Sequence, residues 1–119
     1  MSISVHHEQG NIYRLEVRGL LRKHDLEQSQ EFLVNEMKRV GNVRLLFILS
    51  AFEGWDGLDD WRDMSFYVKY GSSIDRIAIV GDERWQAETM MFTGAGLRRA
   101  AVQFFPEASV AQARAWLSA

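Results

Sequence analysis

Cysteine is absent from this sequence, and long apolar runs are rare. Without cysteine the chain has no disulfide framework, no thiol nucleophile and no metal site built on thiolates. The longest apolar run, Leu45 to Leu49, falls far short of the ~20 residues that a membrane-spanning helix needs. The first seven residues contain no basic segment followed by an apolar core, so we expect no signal peptide and a cytoplasmic protein.

An excess of charge of one sign is also missing. The formal net charge is −2, and acidic and basic residues are interspersed. Because a nucleic-acid-binding protein concentrates positive charge on one face, we expect no nucleic-acid partner. The composition is typical of a globular protein, and 119 residues match the commonest domain size. We therefore predict a single domain over residues 1–119.

The first forty residues predict a β-hairpin followed by a helix. Apolar residues alternate over 3–5 and again over 12–17, which is typical of half-buried strands. Glu8–Asn11 lies between them and contains a Gly-Asn pair that tolerates positive φ, which favours a turn. Over residues 24–40 the apolar period becomes helical, and Gly41 is expected to end this helix.

Strands and helices alternate along the rest of the chain. Leu45–Leu49 is a continuous apolar run, which indicates a strand covered on both faces. Further strands are predicted at 77–80 and 100–105, and further helices at 57–70, at 83–93 and after Pro106. Ser109 and Gln112 predict a capping box in the last helix. The order β-β-α-β-α-β-α-β-α predicts an α/β fold with a mixed sheet, in which parallel strands follow an antiparallel hairpin.

Several segments, taken in order, resemble a known family. They are Gly10–Ile12, Leu45–Trp55, Arg76–Trp85, Phe104–Pro106, and the later residues Ala113, Trp116 and Leu117. Together they resemble the SpoIIAA-like family of small bacterial STAS-type domains, over nearly the whole chain. The resemblance implies a mixed sheet of four or five strands with helices mainly on one side.

The resemblance also implies something about function. The fold is shared by anti-sigma-factor antagonists and, more distantly, by CRAL-TRIO lipid-carrying domains. Members of this subfamily are similar to proteins associated with apolar ligands or membranes. The antagonists carry an Asp-Ser-Ser/Thr-Gly phosphorylation motif after the central strand. Here that place reads Ser50–Trp55 and lacks the phosphoacceptor, so we expect no phosphorylation switch of that type.

Other polar groups have structural interpretations. The acidic residues near the second helix are Glu53, Asp56, Asp59, Asp60 and Asp63. We expect them to cap and begin helix 57–70 rather than to hold a metal ion. His6 and His7 alternate across a strand, and His24 begins a helix. Gly54–Gly57 and Gly94–Gly96 are interpreted as turns. We predict no catalytic residue, no metal and no cofactor.

Aromatic and methionine residues are dense in helices 57–70 and 83–93. In helix 57–70 a helical wheel predicts one inward stripe, formed by Leu58, Trp61, Met64 and Val68, and leaves Phe66, Tyr67 and Tyr70 only partly buried. In helix 83–93 Trp85, Thr89 and Phe92 share a face that Met90 and Met91 extend. A surface helix needs one apolar stripe of about 100°. Both helices carry more apolar side chains than one stripe needs. These extra side chains indicate either core packing or a dimer interface, or they form a groove that binds a ligand or a membrane surface.

We hypothesise a non-enzymatic module that binds an apolar or lipid-like small molecule, or a membrane surface. The predicted site residues carry aromatic or thioether side chains: Trp55, Trp61, Phe66, Tyr67, Trp85, Met90, Met91 and Phe92. Arg84 or Arg98 would contact an acidic head group. The alternative is a STAS-type regulatory domain that binds a protein partner, or forms a homodimer, through the same helices.

Overall fold

The computed structural model describes residues 2–61, 65–94 and 100–119, and in these ranges it contains five strands and four α-helices. The strands are β1 (Ile3–Gln9), β2 (Ile12–Leu21), β3 (Val43–Trp55), β4 (Ile74–Gly81) and β5 (Ala101–Pro106). The helices are α1 (Lys23–Val40), α2 (Ser65–Tyr70), α3 (Gln86–Phe92) and α4 (Val110–Ser118). Their order is the predicted one.

All five strands belong to one mixed sheet in the order β1-β2-β3-β4-β5. β1 and β2 are antiparallel, and Gly10 in their turn has a φ of 55°. Each later neighbour pairs in parallel. The predicted α/β fold, with an antiparallel hairpin at one edge of a parallel sheet, is confirmed.

β3 is buried on both faces, and a separate hydrophobic core lies on each. Leu45 belongs to the larger core, against which α1, α2 and α3 pack Leu33, Phe66 and Phe92. The next residue, Leu46, belongs to the smaller core, to which α4 contributes Leu117. Three helices therefore cover one face of the sheet, and α4 covers the other.

α1 has the buried face that its sequence period predicts. Leu26, Leu33 and Met37 are buried, and the helix ends at Gly41, whose φ is 84°. The N–H of Gly41 donates to the carbonyl oxygen of Met37 at 2.9 Å. No helix in the described part of the chain is long and apolar enough to cross a membrane.

Arginines tie α4 to the sheet. Arg114 donates from Nη2 and Nε to the two carboxylate oxygens of Glu8, at 2.8 and 3.0 Å. These hydrogen bonds, with a further one from Arg14, lower the pKa of the Glu8 carboxyl below its usual value. Arg44 and Arg76 donate to carbonyl oxygens of the last turn of α4, and the Trp116 carbonyl also accepts the N–H of Ala119 at 3.4 Å. The C-terminal end of α4 is therefore capped by the strands beneath it.

The predicted capping box at the start of α4 is wrong. Ser109 makes no side-chain hydrogen bond to the helix. It ends a short 3-10 turn, Glu107–Ser109, and its φ and ψ of −110° and 30° differ from the extended conformation that a capping serine adopts.

The predicted helix 57–70 is the largest difference between sequence and structure. β3 runs on to Trp55 because it stays paired with β2, residues 56–61 form no helix, and the described part of α2 starts at Ser65. Leu58 and Val68, which were expected to face inward, are 95% and 83% exposed. Met64, another of the four residues in the predicted inward stripe, and Asp63 lie outside the described residues.

The acidic residues after β3 close a turn instead of starting a helix. Asp56 accepts a hydrogen bond from the N–H of Leu58 at 3.0 Å and lies 2.7 Å from Nε of Arg22. Asp59 accepts a hydrogen bond from the N–H of Lys23 at 2.9 Å. These carboxylates therefore connect the end of β3 to the start of α1.

Substitution of Gly81, the last residue of β4, tests how closely β4 packs against Leu49 at this end of the sheet. A Cβ at Gly81 would lie 2.8 Å from Cδ1 of Leu49. We expect Gly81→Ala to lower the free energy of unfolding, measured by urea denaturation, by about 1–3 kcal/mol through overpacking. Gly57→Ala is the control, since a Cβ there meets nothing within 4 Å. Equal stability of the two variants would contradict the contact.

Candidate functional site

The pairing of β2 with β3 extends past the end of β4. β3 pairs with β4 as far as Ile48, whereas its pairing with β2 continues to Trp55. Two register shifts interrupt this extension, and positive φ angles occur at Gly19 (61°), Ala51 (48°) and Gly54 (100°). Such bulges increase the local twist of a strand pair. The extension carries the aromatic side chains at the end of β3 to the side of the sheet that α3 covers.

Six aromatic rings meet there and form what we call the aromatic cluster: Phe52, Trp55, Trp61, Tyr67, Trp85 and Phe92. The ring centroid of Trp55 lies 5.2 Å from that of Phe52 and 5.3 Å from that of Phe92. Phe92 in turn lies 6.0 Å from Trp61 and 6.3 Å from Tyr67. Pairs at such distances contribute about 0.5–1.5 kcal/mol each beyond the area that they bury. Trp55 and Phe92 are the centre of the cluster.

Trp85 rests on the backbone of β3. A Cβ at Gly54 would lie 3.2 Å from Cη2 of Trp85, closer than an ordinary van der Waals contact, so a side chain there would displace the ring by a few tenths of an ångström. A single 3-10 turn, Glu83–Trp85, precedes α3, and Asp82 caps it by accepting a hydrogen bond from the N–H of Arg84 at 3.0 Å. This turn fixes the place of Trp85 over the strand.

The indole N–H groups of the cluster differ in their hydrogen bonding. Nε1 of Trp61 donates to the carbonyl oxygen of Asp56 at 2.8 Å. Nε1 of Trp55 and Nε1 of Trp85 are buried and have no acceptor in the part of the chain that the structure describes. Packing, rather than hydrogen bonding, therefore holds these two rings.

Two open grooves lie beside the cluster. The aromatic groove, of about 380 Å³, is lined by Trp55, Trp61, Glu88, Met91 and Phe92. The α1 groove, of about 170 Å³, is lined by Lys23, Leu26, Glu27, Gln30, Asp60, Trp61, Ser65, Phe66, Tyr67 and Phe92. Trp61 and Phe92 separate the two. A smaller pocket lined in part by Trp55 and Phe92 holds only about 30 Å³, which is room for water-sized molecules.

The structure brings most of the predicted site residues together. Trp55, Trp61, Met91 and Phe92 line the aromatic groove, and Phe66 and Tyr67 line the α1 groove. Their contact with a ligand stays a prediction.

Three predicted site residues line neither groove, and a fourth lies outside the described residues. Trp85 packs behind Trp55, with ring centroids 6.2 Å apart, and Met90 packs against the larger core. The guanidinium of Arg84 lies over the Trp85 ring, 5.2 Å from its centroid, and lines neither groove. Arg98 lies outside the described residues.

Two members of the site were missed from the sequence. The sequence indicates Phe52 only as part of the segment Leu45–Trp55 that resembles the family. In the structure it is buried and contacts both Trp55 and Trp85. Glu88 precedes Met91 by three residues and Phe92 by four. That spacing places all three on one side of a helix, and it was the signal available. Among the described residues no group of three or more acidic or histidine side chains could hold a metal ion.

Comparison with known proteins identifies the fold. The family model described as SpoIIAA-like matches residues 12–118. The chain belongs to the SpoIIAA-like family. A similar solved structure is that of an uncharacterized protein of the DUF3478 family from Shewanella loihica PV-4, which has a SpoIIAA-like fold. It is 20% identical, covers 97% of this chain and 91% of its own, and superimposes with a TM-score of 0.73. Comparison with curated proteins gives no match.

Substitution of Gly54 tests whether the Trp85 ring of this SpoIIAA-like chain packs against β3 at that residue. Gly54→Ala should lower the free energy of unfolding and change the near-ultraviolet circular dichroism, because the new methyl group displaces the indole ring. Gly10→Ala is the control, since Gly10 also has a positive φ but a Cβ there meets nothing within 4 Å. Both variants bear a backbone cost of about 1 kcal/mol. If the near-ultraviolet circular dichroism of Gly54→Ala equals that of Gly10→Ala, the packing of Trp85 on Gly54 is contradicted.

Proposed function

We propose that this SpoIIAA-like protein is a cytoplasmic, non-enzymatic binding module that holds an apolar or amphipathic small molecule in the aromatic groove. The observation that carries the proposal is the exposure of Met91. Its side chain is 75% exposed although it lies beside Trp55 and Phe92 in the groove. Burying such a side chain contributes about 1.5–3 kcal/mol, so a ligand that covers Met91 is stabilised by contact with it.

The construction of the groove also supports a small-molecule ligand. The groove is open to solvent and offers about 380 Å³ of space, and its lining is apolar except for Glu88. Two of its walls are held by contacts within the chain, Trp61 by its hydrogen bond to Asp56 and Trp55 by ring packing on Phe92. A preformed wall reduces the entropy that binding would otherwise cost.

Peripheral membrane association is a weaker use of the same surface. Leu58, which is 95% exposed, could enter a bilayer. However, Asp59 and Asp60 follow Leu58 directly in the sequence, and carboxylates are repelled by anionic lipid head groups. The acidic setting of Leu58 therefore favours a small molecule over a membrane surface.

Titration with 1-decanol, followed by tryptophan fluorescence, tests the proposal. Decanol is neutral, so the measurement reports on the apolar groove alone. We expect saturable binding, and Met91→Gln should weaken it about tenfold, because the variant loses the apolar contact with the ligand. Val68→Gln is the matched control. Val68 is another strongly exposed apolar residue on a helix, it lines neither groove, and its substitution should leave the affinity unchanged.

The outcomes separate the candidate functions. Absence of saturable binding, or equal weakening by both variants, would overturn a small-molecule role for the aromatic groove. Flotation with phosphatidylcholine vesicles that depends on Met91, without binding of free decanol, would indicate membrane association instead. Concentration-dependent self-association of the wild type that Met91→Gln abolishes would support the STAS-type interaction domain in its homodimeric form.

A further inference from the structure

The aromatic groove has a charge of its own. Glu88 is the one charged side chain that lines it within the described ranges. It lies in the first turn of α3, is exposed, and makes no hydrogen bond or ion pair with any described residue. A free carboxylate therefore stands beside the rings of Trp55, Trp61 and Phe92.

Two described arginines near the aromatic cluster are engaged elsewhere, and Lys23 lines the α1 groove rather than the aromatic groove. The guanidinium of Arg84 lies over the face of Trp85 and 3.9 Å from a carboxylate oxygen of Asp82. Nε of Arg22 lies 2.7 Å from a carboxylate oxygen of Asp56. Neither arginine lines the aromatic groove. The charge that a ligand head group meets at the described lining is therefore negative.

Aromatic faces and a carboxylate together favour a particular chemistry. The π face of an aromatic ring attracts cations, tryptophan most strongly, and weakly hydrated quaternary ammonium groups are bound by several such faces at once. A nearby carboxylate adds attraction for the same head group, whereas it repels a fatty acid's carboxylate. Methionine at the groove adapts to the alkyl chain that follows the head.

We propose that the aromatic groove selects amphiphiles with a quaternary ammonium head over those with a carboxylate head, and that Glu88 supplies the counter-charge. Trp55 and Trp61 provide the faces for the head, and Met91 covers the first part of the chain. This assignment rests on the proposed function and names its ligand class. It differs from the acidic head group that Arg84 and Arg98 led us to expect from the sequence.

Two probes of equal chain length and opposite charge test the selection. Decyltrimethylammonium and decanoate are titrated into the protein by isothermal calorimetry, below their micelle concentrations and at low ionic strength. We expect decyltrimethylammonium to bind about fivefold or more tightly than decanoate. Glu88→Gln should weaken decyltrimethylammonium about threefold to fivefold and strengthen decanoate.

A matched variant separates the local effect of Glu88 from that of net charge. Glu83→Gln removes the same charge from the 3-10 turn that precedes α3, and Glu83 does not line the groove. We expect it to change either affinity by less than about twofold, since its charge is screened by solvent. Equal effects of Glu83→Gln and Glu88→Gln would overturn the role of Glu88.

The remaining outcomes distinguish this inference from the proposed function. If decanoate binds as tightly as decyltrimethylammonium or more tightly, the groove is a binding site but the selection for a cationic head is wrong. If neither probe binds and 1-decanol also fails to bind, the proposed function fails, and the selection fails with it.

Discussion

Burial of β3 on both faces is the constraint on which the rest of the structure depends. Leu45 and Leu46 are adjacent in the chain and enter different cores, so helices must cover both sides of the sheet. Three helices do so on one side, and α4 does so on the other, where arginines of β3 and β4 hold its last turn. This arrangement fixes where α3 can lie and, with it, which side chains can meet the end of β3.

The aromatic groove follows from a mismatch between the lengths of neighbouring strands. β3 continues to Trp55 with β2 as its partner, after its pairing with β4 has ended at Ile48. Beyond Ile48, no strand among the described residues pairs with the other edge of β3. Instead, Trp85, in the 3-10 turn before α3, packs against Gly54. Phe92, in α3, packs against Trp55. Met91, on the same helix, is left at the surface.

The sequence indicates the elements more reliably than their ends. The unbroken run Leu45–Leu49 was enough to predict a strand covered on both faces, because alternation disappears when both faces are buried. The continuation of β3 to Trp55 was not predictable, since backbone pairing with β2 maintains it while Glu53 and Gly54 interrupt the apolar pattern. Asp56 was assigned to a helix start because a carboxylate stabilises a turn and a helix N-terminus in the same way. The many aromatic residues of these segments indicated where the groove lies. An isolated carboxylate such as Glu88 could not be assigned to the groove from the sequence, because only the folded chain brings α3 beside Trp55.

The central claim is that the end of β3 and α3 form a groove open to a ligand, on the side of the sheet opposite α4. The chain has four tryptophans, and Trp116 lies on α4, which makes it an internal reference. The most direct measurement is a ¹⁵N–¹H spectrum of the indole N–H groups during titration with a decyl amphiphile. We expect the signals of Trp55 and Trp61 to shift in proportion to saturation while that of Trp116 stays fixed. Shifts confined to Trp116, or equal shifts of all four signals, would contradict the account.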